Sequence, residues 1–252
     1  MISQLQSAYA KLERADKHIF EFEAWVKAVY DLDGYAVIKE TEADGLHEVL
    51  KIRYHAPNVP SHIIAVVGDA IHNLRSALDH LACAIAVRHD SNVSLEDVSF
   101  PICKSKEVFD SPGTQGKIRI LGPAGETFIG CLKPYPGDDG IELFWTLHRL
   151  DITDKHRALL TADIFIAATG IGPEAGRAIL FSAKHGDWQS LEKDIVIARW
   201  RVGEPEPNVF HIFNVAFNEP EIVGKEPAFA VLTNARGLVA WTLGEAEREI
   251  AW

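Results

Sequence analysis

One stretch of thirty residues, PSHIIAVVGDAIHNLRSALDHLACAIAVRH from Pro60 to His89, restricts the fold more than any other part of the chain. Ile64, Val67, Ile71, Leu74, Leu78, Leu81 and Ile85 follow one another at alternating steps of three and four. That is the apolar seam of a helix packed lengthwise on a partner helix. The opposite face carries Asp69, His72, Asn73, Arg75, Ser76, Asp79, His80 and Cys83, and between Ile63 and Val87 there is no Lys, Glu or Gln. Short polar residues compete for backbone hydrogen bonds and make poor helix surfaces, so water-facing helices usually carry long charged side chains. The second face is therefore expected to be covered as well. A covered face with two carboxylates, two imidazoles and a guanidinium must satisfy them on one another or on a ligand, which makes it the first place to look for chemistry.

A helix of this kind needs a partner, and the N-terminal segment supplies one. Leu5, Leu12, Ile19 and Val26 alternate with Ala8, Ala15, Phe22 and Val29 at heptad spacing, while Lys11, Glu13, Arg14, Lys17, Glu21 and Lys27 form an ordinary solvated face. The two seams are expected to face each other. Between them, YAVIKE and LHEVLKIRYH flank Asp44-Gly45, a dipeptide that supplies positive φ in a tight turn and predicts a β-hairpin.

Beyond the central helix the pattern changes. A short helical piece near Ser105 and a helix opening at Pro123 precede KPYPGDDG, which breaks the chain. IELFWTLHRL predicts a short helix ending at LDITDKHR, and ALLTADIFIA, RAILFSA, DIVIARWRV and VFHIFNVAF predict strands from their β-branched and aromatic content. After Pro227, Val231, Ala235, Leu238, Val239, Thr242, Ala246 and Ile250 fall on one helical stripe. The expected class is α+β: a long antiparallel helical pair plus a C-terminal helix packed on a small antiparallel sheet, with an inserted hairpin. A single domain is expected, with a helical part at 1–157, a sheet-rich part at 158–226 and the terminal helix at 227–252.

Composition excludes several functions. The 252 residues and formal charge of −11 allow a sizeable core but oppose non-specific binding to nucleic acid or anionic membrane. Cys83, Cys103 and Cys131 are odd in number and far apart, so neither a disulfide framework nor a zinc knuckle is indicated. The first residues lack a basic start followed by an apolar run, and charge interrupts every long apolar stretch. A cytoplasmic protein without a membrane span is expected.

Two constellations carry the candidate chemistry. On the central helix, Asp69, His72, Ser76, Asp79 and Cys83 form the middle of the polar face, with Asn73 and His80 on one flank and Arg75 on the other. Arg75 pairing with Asp79 one turn away is the structural interpretation. Under the functional interpretation the cluster tunes His72 or His80 to exchange protons near neutral pH. The second constellation is Asp151, Asp154, Lys155, His156 and Arg157, placed at a helix-to-strand turn and offered as a cover for the polar face through His156 or Arg157. No cofactor or metal is expected: His72 and His80 are two turns apart, and no HExxH-like pair exists. Gly170, Gly172 and Gly176 miss the dinucleotide spacing by one residue and are expected to form a turn.

GDAIHNLRSALDHLA, FPI at Phe100 to Ile102, KPY at Lys133 to Tyr135 and DKHR at Asp154 to Arg157 resemble, in this order, the blocks of a group of bacterial hypothetical proteins without an assigned activity. Arg75-Ser-Ala-Leu-Asp-His80 also resembles the Arg-x4-6-His motif of HEPN domains, helical ribonuclease-type modules, and Arg149 to His156 has the same spacing. The HEPN resemblance implies a metal-independent ribonuclease or phosphodiesterase acting on RNA or another phosphate-containing ligand. His80 would move the proton of a ribose 2′-hydroxyl and Arg75 would steady the phosphate, with Asp69, His72, Asp79 and His156 as orienters. The alternative is a non-catalytic helical interaction or homodimerisation module whose polar face is a buried hydrogen-bonded layer.

Overall fold

A computed structural model describes residues 5–30, 35–54, 59–156, 162–172, 179–182, 195–217, 219–223, 226–250 and 252. Helix α1 spans Gln6–Tyr30, and strands β1 (Tyr35–Thr41) and β2 (His47–Tyr54) form the predicted hairpin, with Gly45 at φ 66° in its turn. The central helix α2 runs Ser61–His89. Three shorter helices follow: α3 (Lys106–Phe109), α4 (Pro112–Arg119) and α5 (Gly122–Leu132). Helix α6 (Glu142–His156) leads into β3 (Ala162–Gly172), β4 (Ile179–Ser182), β5 (Ile195–Arg201) and β6 (Asn208–Phe217), and α7 (Pro220–Val223) and α8 (Ala228–Glu249) complete the described elements. The fold is α+β with the expected helical pair, hairpin and C-terminal helix. Among the described residues no helix is long and apolar enough to cross a membrane.

The core is built around α2, which packs on α1, α5, α6 and α8. Leu5, Ala8, Leu12, Ala15 and Phe22 of the α1 seam are buried, as are Ile64, Val67, Ile71, Leu74, Leu78, Leu81 and Ile85 of the α2 seam. Burial on α2 continues well round the helix, to Ile63, Ala70, Asn73, Arg75, Ala77 and Ala82. A helix enclosed on several sides explains why it carries Ala, Gly and Ser where a surface helix carries Lys and Glu. Helix α8 closes the bundle with Val231, Ala235, Val239, Thr242 and Ala246, in the predicted register. It is tied to α1 by a two-pronged ion pair, Arg236 Nε and Nη2 donating to the Asp16 carboxylate at 2.8 and 2.9 Å.

The later strands divide between two antiparallel sheets of order β1-β2-β5 and β4-β3-β6. Strand β5 leaves its neighbours in sequence and pairs with the hairpin, and its alternation accounts for the choice. Ala198 and Trp200 face Leu50 and form a small cluster of their own, while Arg199 on the other face reaches Glu42 at 2.7 Å. The second sheet reaches the helical core through Val215 and Phe217 of β6. Gly170 and Gly172, read from sequence as part of a turn, lie in β3 opposite Leu180 and Asn208, whereas Gly176 is outside the described residues.

Helix α6 corrects a second expectation. Asp151, Asp154, Lys155 and His156 do not form a turn; they continue the helix for more than a turn beyond Leu150. The reason is periodic: Phe144, Leu147, Leu150 and Asp151 are all buried, so the inward stripe runs on with a carboxylate in place of an aliphatic side chain. At the end of the stripe α6 approaches α2 so closely that a Cβ on Gly68 would lie 2.5 Å from Asp154 Oδ2. Only a glycine allows that approach.

Candidate active site

The polar face of α2 meets the polar end of α6, and the contact sorts the candidate residues into two groups. The first is buried. Arg75, 7% exposed, donates from Nη1 to Asp79 Oδ1 at 2.6 Å and from Nη2 to the carbonyl of Phe100 at 3.1 Å. The Phe100 N–H donates to the same Asp79 oxygen at 2.9 Å. An ion pair one helical turn apart thus grips both backbone polar groups of a single residue and leaves neither unpaired. The Phe100 ring lies 5.5 Å from that of Phe144 on α6, and the Cys103 N–H reaches the Pro134 carbonyl at 2.9 Å. The FPI and KPY segments are therefore stitched to the central helix and to each other.

The second group is open to solvent. His72 Nδ1 lies 3.2 Å from Asp151 Oδ1; the His72 side chain is 43% exposed and the Asp151 side chain 6%. Lys155, one turn beyond Asp151, donates to its other oxygen at 2.8 Å. An ionised carboxylate can only accept, so the contact is made by Nδ1–H, and in the tautomer that donates there Nε2 is an acceptor. Ser76 Oγ lies 3.4 Å from that Nε2. A histidine held at one nitrogen by a buried carboxylate, with a hydroxyl at the other, is an arrangement that general acid–base catalysis uses.

Between the two groups sits His148 of α6, which the sequence reading passed over. Burial pushes its pKa below the ordinary histidine value, and the Arg75 charge acts in the same direction; Asp151 and Asp79 oppose the shift and Lys155 adds to it. The ring lies tilted against Trp145 with centroids 5.5 Å apart, and Nδ1 is buried without a hydrogen-bond partner. No family model, curated protein or solved structure matches this chain. The assignment of function rests on the geometry.

That geometry treats the sequence candidates unequally. His72 and Asp79 are drawn into contacts with other polar groups, and Arg75 into the Phe100 clamp. Asp69 is exposed on α2, contrary to the expectation of a fully covered face, and its backbone carbonyl accepts Asn73 Nδ2 at 2.7 Å. His80 is half-buried and has no hydrogen bond or ion pair among the described residues. It is not brought to Arg75: five residues on a helix rotate a side chain by about 140°, and Arg75 points to Phe100. His156 ends α6, with its side chain outside the described residues, as is all of Arg157. Among the described residues the polar face is covered by α6 through Asp151 and Asp154.

Among the described residues, Glu42, Asp44 and His47 of the hairpin place ligand atoms within 4.8 Å of one another. A cation already sits there. Arg199 Nη2 is 2.7 Å from Glu42 Oε2 and 3.7 Å from Asp44 Oδ2, so β5 already supplies a positive charge to the acidic pair. The hydrogen bond from His47 and those from the backbone N–H groups of Leu46 and His47 hold the Asp44 carboxyl below its usual range.

Proposed function

We propose that the exposed edge where α2 meets α6 is a metal-independent acid–base site for a phosphate ester, with an RNA phosphodiester as the first substrate to test. The observation that carries this reading is the His72–Asp151 pair, in which a buried carboxylate fixes one nitrogen of a ring that is 43% exposed. His72 then moves the proton of the attacking hydroxyl, Asp151 orients its ring, and the exposed Lys155 ammonium offsets phosphate charge. This moves the proton-transferring histidine of a HEPN-like ribonuclease by about two turns of α2, from His80 to His72, and leaves Arg75 to hold the Phe100 loop.

The test is cleavage of a mixed-sequence RNA in EDTA by wild type, His72→Ala, Asp151→Asn and His80→Ala, each with its melting temperature recorded. Loss of about 10²-fold or more in His72→Ala, a smaller loss in Asp151→Asn and near-wild-type rates in His80→Ala are expected. A rate that depends on His80 and not on His72 would return the site to the Arg75/His80 pair. A second reading, a homodimerisation or interaction module with a buried polar layer, is favoured by the closed ring of Arg75, Asp79 and the Phe100 peptide. It predicts no cleavage and a large fall in melting temperature when that ring is broken.

A further inference from the structure

We infer that Ser76 is the nucleophile of a Ser76–His72–Asp151 relay that transfers the acyl group of a carboxylic ester to water. The inference rests on the His72–Asp151 pair of the reading above but not on its phosphate substrate. A serine inside a helix ordinarily turns its hydroxyl back onto the carbonyl four residues earlier. Here the partner four residues earlier is the side chain of His72, with Ser76 Oγ at 3.4 Å from Nε2. Asp151 Oδ1 lies 3.2 Å from Nδ1 on the far side of the same ring. Hydroxyl, imidazole and buried carboxylate thus stand in line, each beside the atom that its role requires, and such an array is recognised by these relations whatever the fold or chain order. Catalytic pairs commonly stand at this looser reach before substrate closes them.

The reaction balances with these groups alone. Ser76 Oγ bonds to the ester carbonyl carbon as its proton passes to His72 Nε2. The tetrahedral intermediate collapses, the bond to the alcohol oxygen breaks, and His72 returns the proton to the leaving alkoxide. Water then attacks the acyl-serine with His72 taking its proton, the carboxylic acid departs, and Ser76 is restored. Asp151 stays ionised throughout, holding Nδ1–H and offsetting the imidazolium. A helix interior has no unpaired backbone N–H for the developing oxyanion. The Lys155 ammonium is held by Asp151 Oδ2 at 2.8 Å, across the imidazole from Ser76, so it does not serve as an oxyanion hole. Without a fixed donor for the oxyanion turnover is slow, so covalent capture is the sensitive readout.

The full-length protein is treated with an alkyl fluorophosphonate carrying a reporter, and the adduct is mapped by mass spectrometry. One adduct at Ser76 is expected, absent in Ser76→Ala and formed at least about tenfold more slowly in His72→Gln and Asp151→Asn, with melting temperatures reported for each. A p-nitrophenyl acetate burst equal to the protein concentration is expected from wild type. No adduct on folded wild type, an adduct at another residue, or labelling of Ser76 undiminished in His72→Gln would overturn the relay. Mapping on wild type decides the matter even if a variant fails to fold. The two proposals fail separately, because RNA cleavage reports proton transfer by His72 and the fluorophosphonate reports nucleophilicity of Ser76.

Discussion

His148 is the residue whose surroundings have the clearest consequence for pH. It faces Arg75 and Asp79 from α2 and Asp151 and Lys155 from its own helix, and burial with the Arg75 charge lowers its pKa from the ordinary 6.5. The unfolded chain therefore takes up a proton at this site before the folded one does. Its contribution to stability is complete above about pH 6.5 and is lost as pH falls through the lowered folded value. Urea denaturation midpoints measured from pH 7.5 down to 5 should fall less steeply in His148→Gln than in wild type; equal slopes would show that the site has no part in acid sensitivity. The sequence shows the polar face of α2 because Lys, Glu and Gln are missing from it, and that absence has a direct physical cause. It conceals His148 because the residue lies inside an apolar run, IELFWTLHRL, where one imidazole reads as an ordinary helix residue. It also shows Ser76 and His72 four apart but not Asp151 opposite them, since that contact spans 79 positions.

At the scale of elements, the clamp between α2 and the Phe100 segment is a stability device with a measurable cost. Asp79→Ala removes the acceptor for both Arg75 and the Phe100 N–H and leaves a buried guanidinium without its counter-charge. The loss should be about 2 to 4 kcal/mol in urea unfolding, below that of a fully buried pair because the Asp79 side chain is itself 36% exposed. Asp79→Asn keeps an oxygen for the Phe100 N–H and should lose less. A change within about 0.5 kcal/mol for the alanine variant would mean that the loop is held by Phe100 packing alone. Elements with long repeats are legible in the sequence: α1, α2 and α8 have 22 residues or more and carry their seams openly. The eight-residue α4 is not, since PGTQGKIR buries one side chain, Ile118, and its start depends on the Ser111 cap and Pro112. The partner of β5 is equally hidden, because an alternating strand specifies its faces but not its neighbours.

At the scale of the whole molecule, the fold has a large helical core and a hairpin sheet whose separate apolar cluster is Leu50, Ala198 and Trp200. Amide exchange in β1, β2 and β5 should therefore proceed through local opening well below the global unfolding free energy, with α2 protected longest. Leu50→Ala should speed exchange throughout those three strands and leave the α2 amides unchanged; a uniform acceleration would make the sheet part of one cooperative unit. The position of α2 also has a consequence in time. Its sides are covered by α1, α5, α6 and α8, and the last of these is not synthesised until residue 249, some 160 residues after α2 is complete. At ribosomal rates of about 5 to 20 residues per second, that leaves an interval of roughly ten to thirty seconds. Throughout it, α2 keeps an open flank where α8 will dock, although α1 precedes it and α5 and α6 are complete by residues 132 and 156. The order of synthesis makes the helical pair an early shelter and the C-terminal helix the step that closes it.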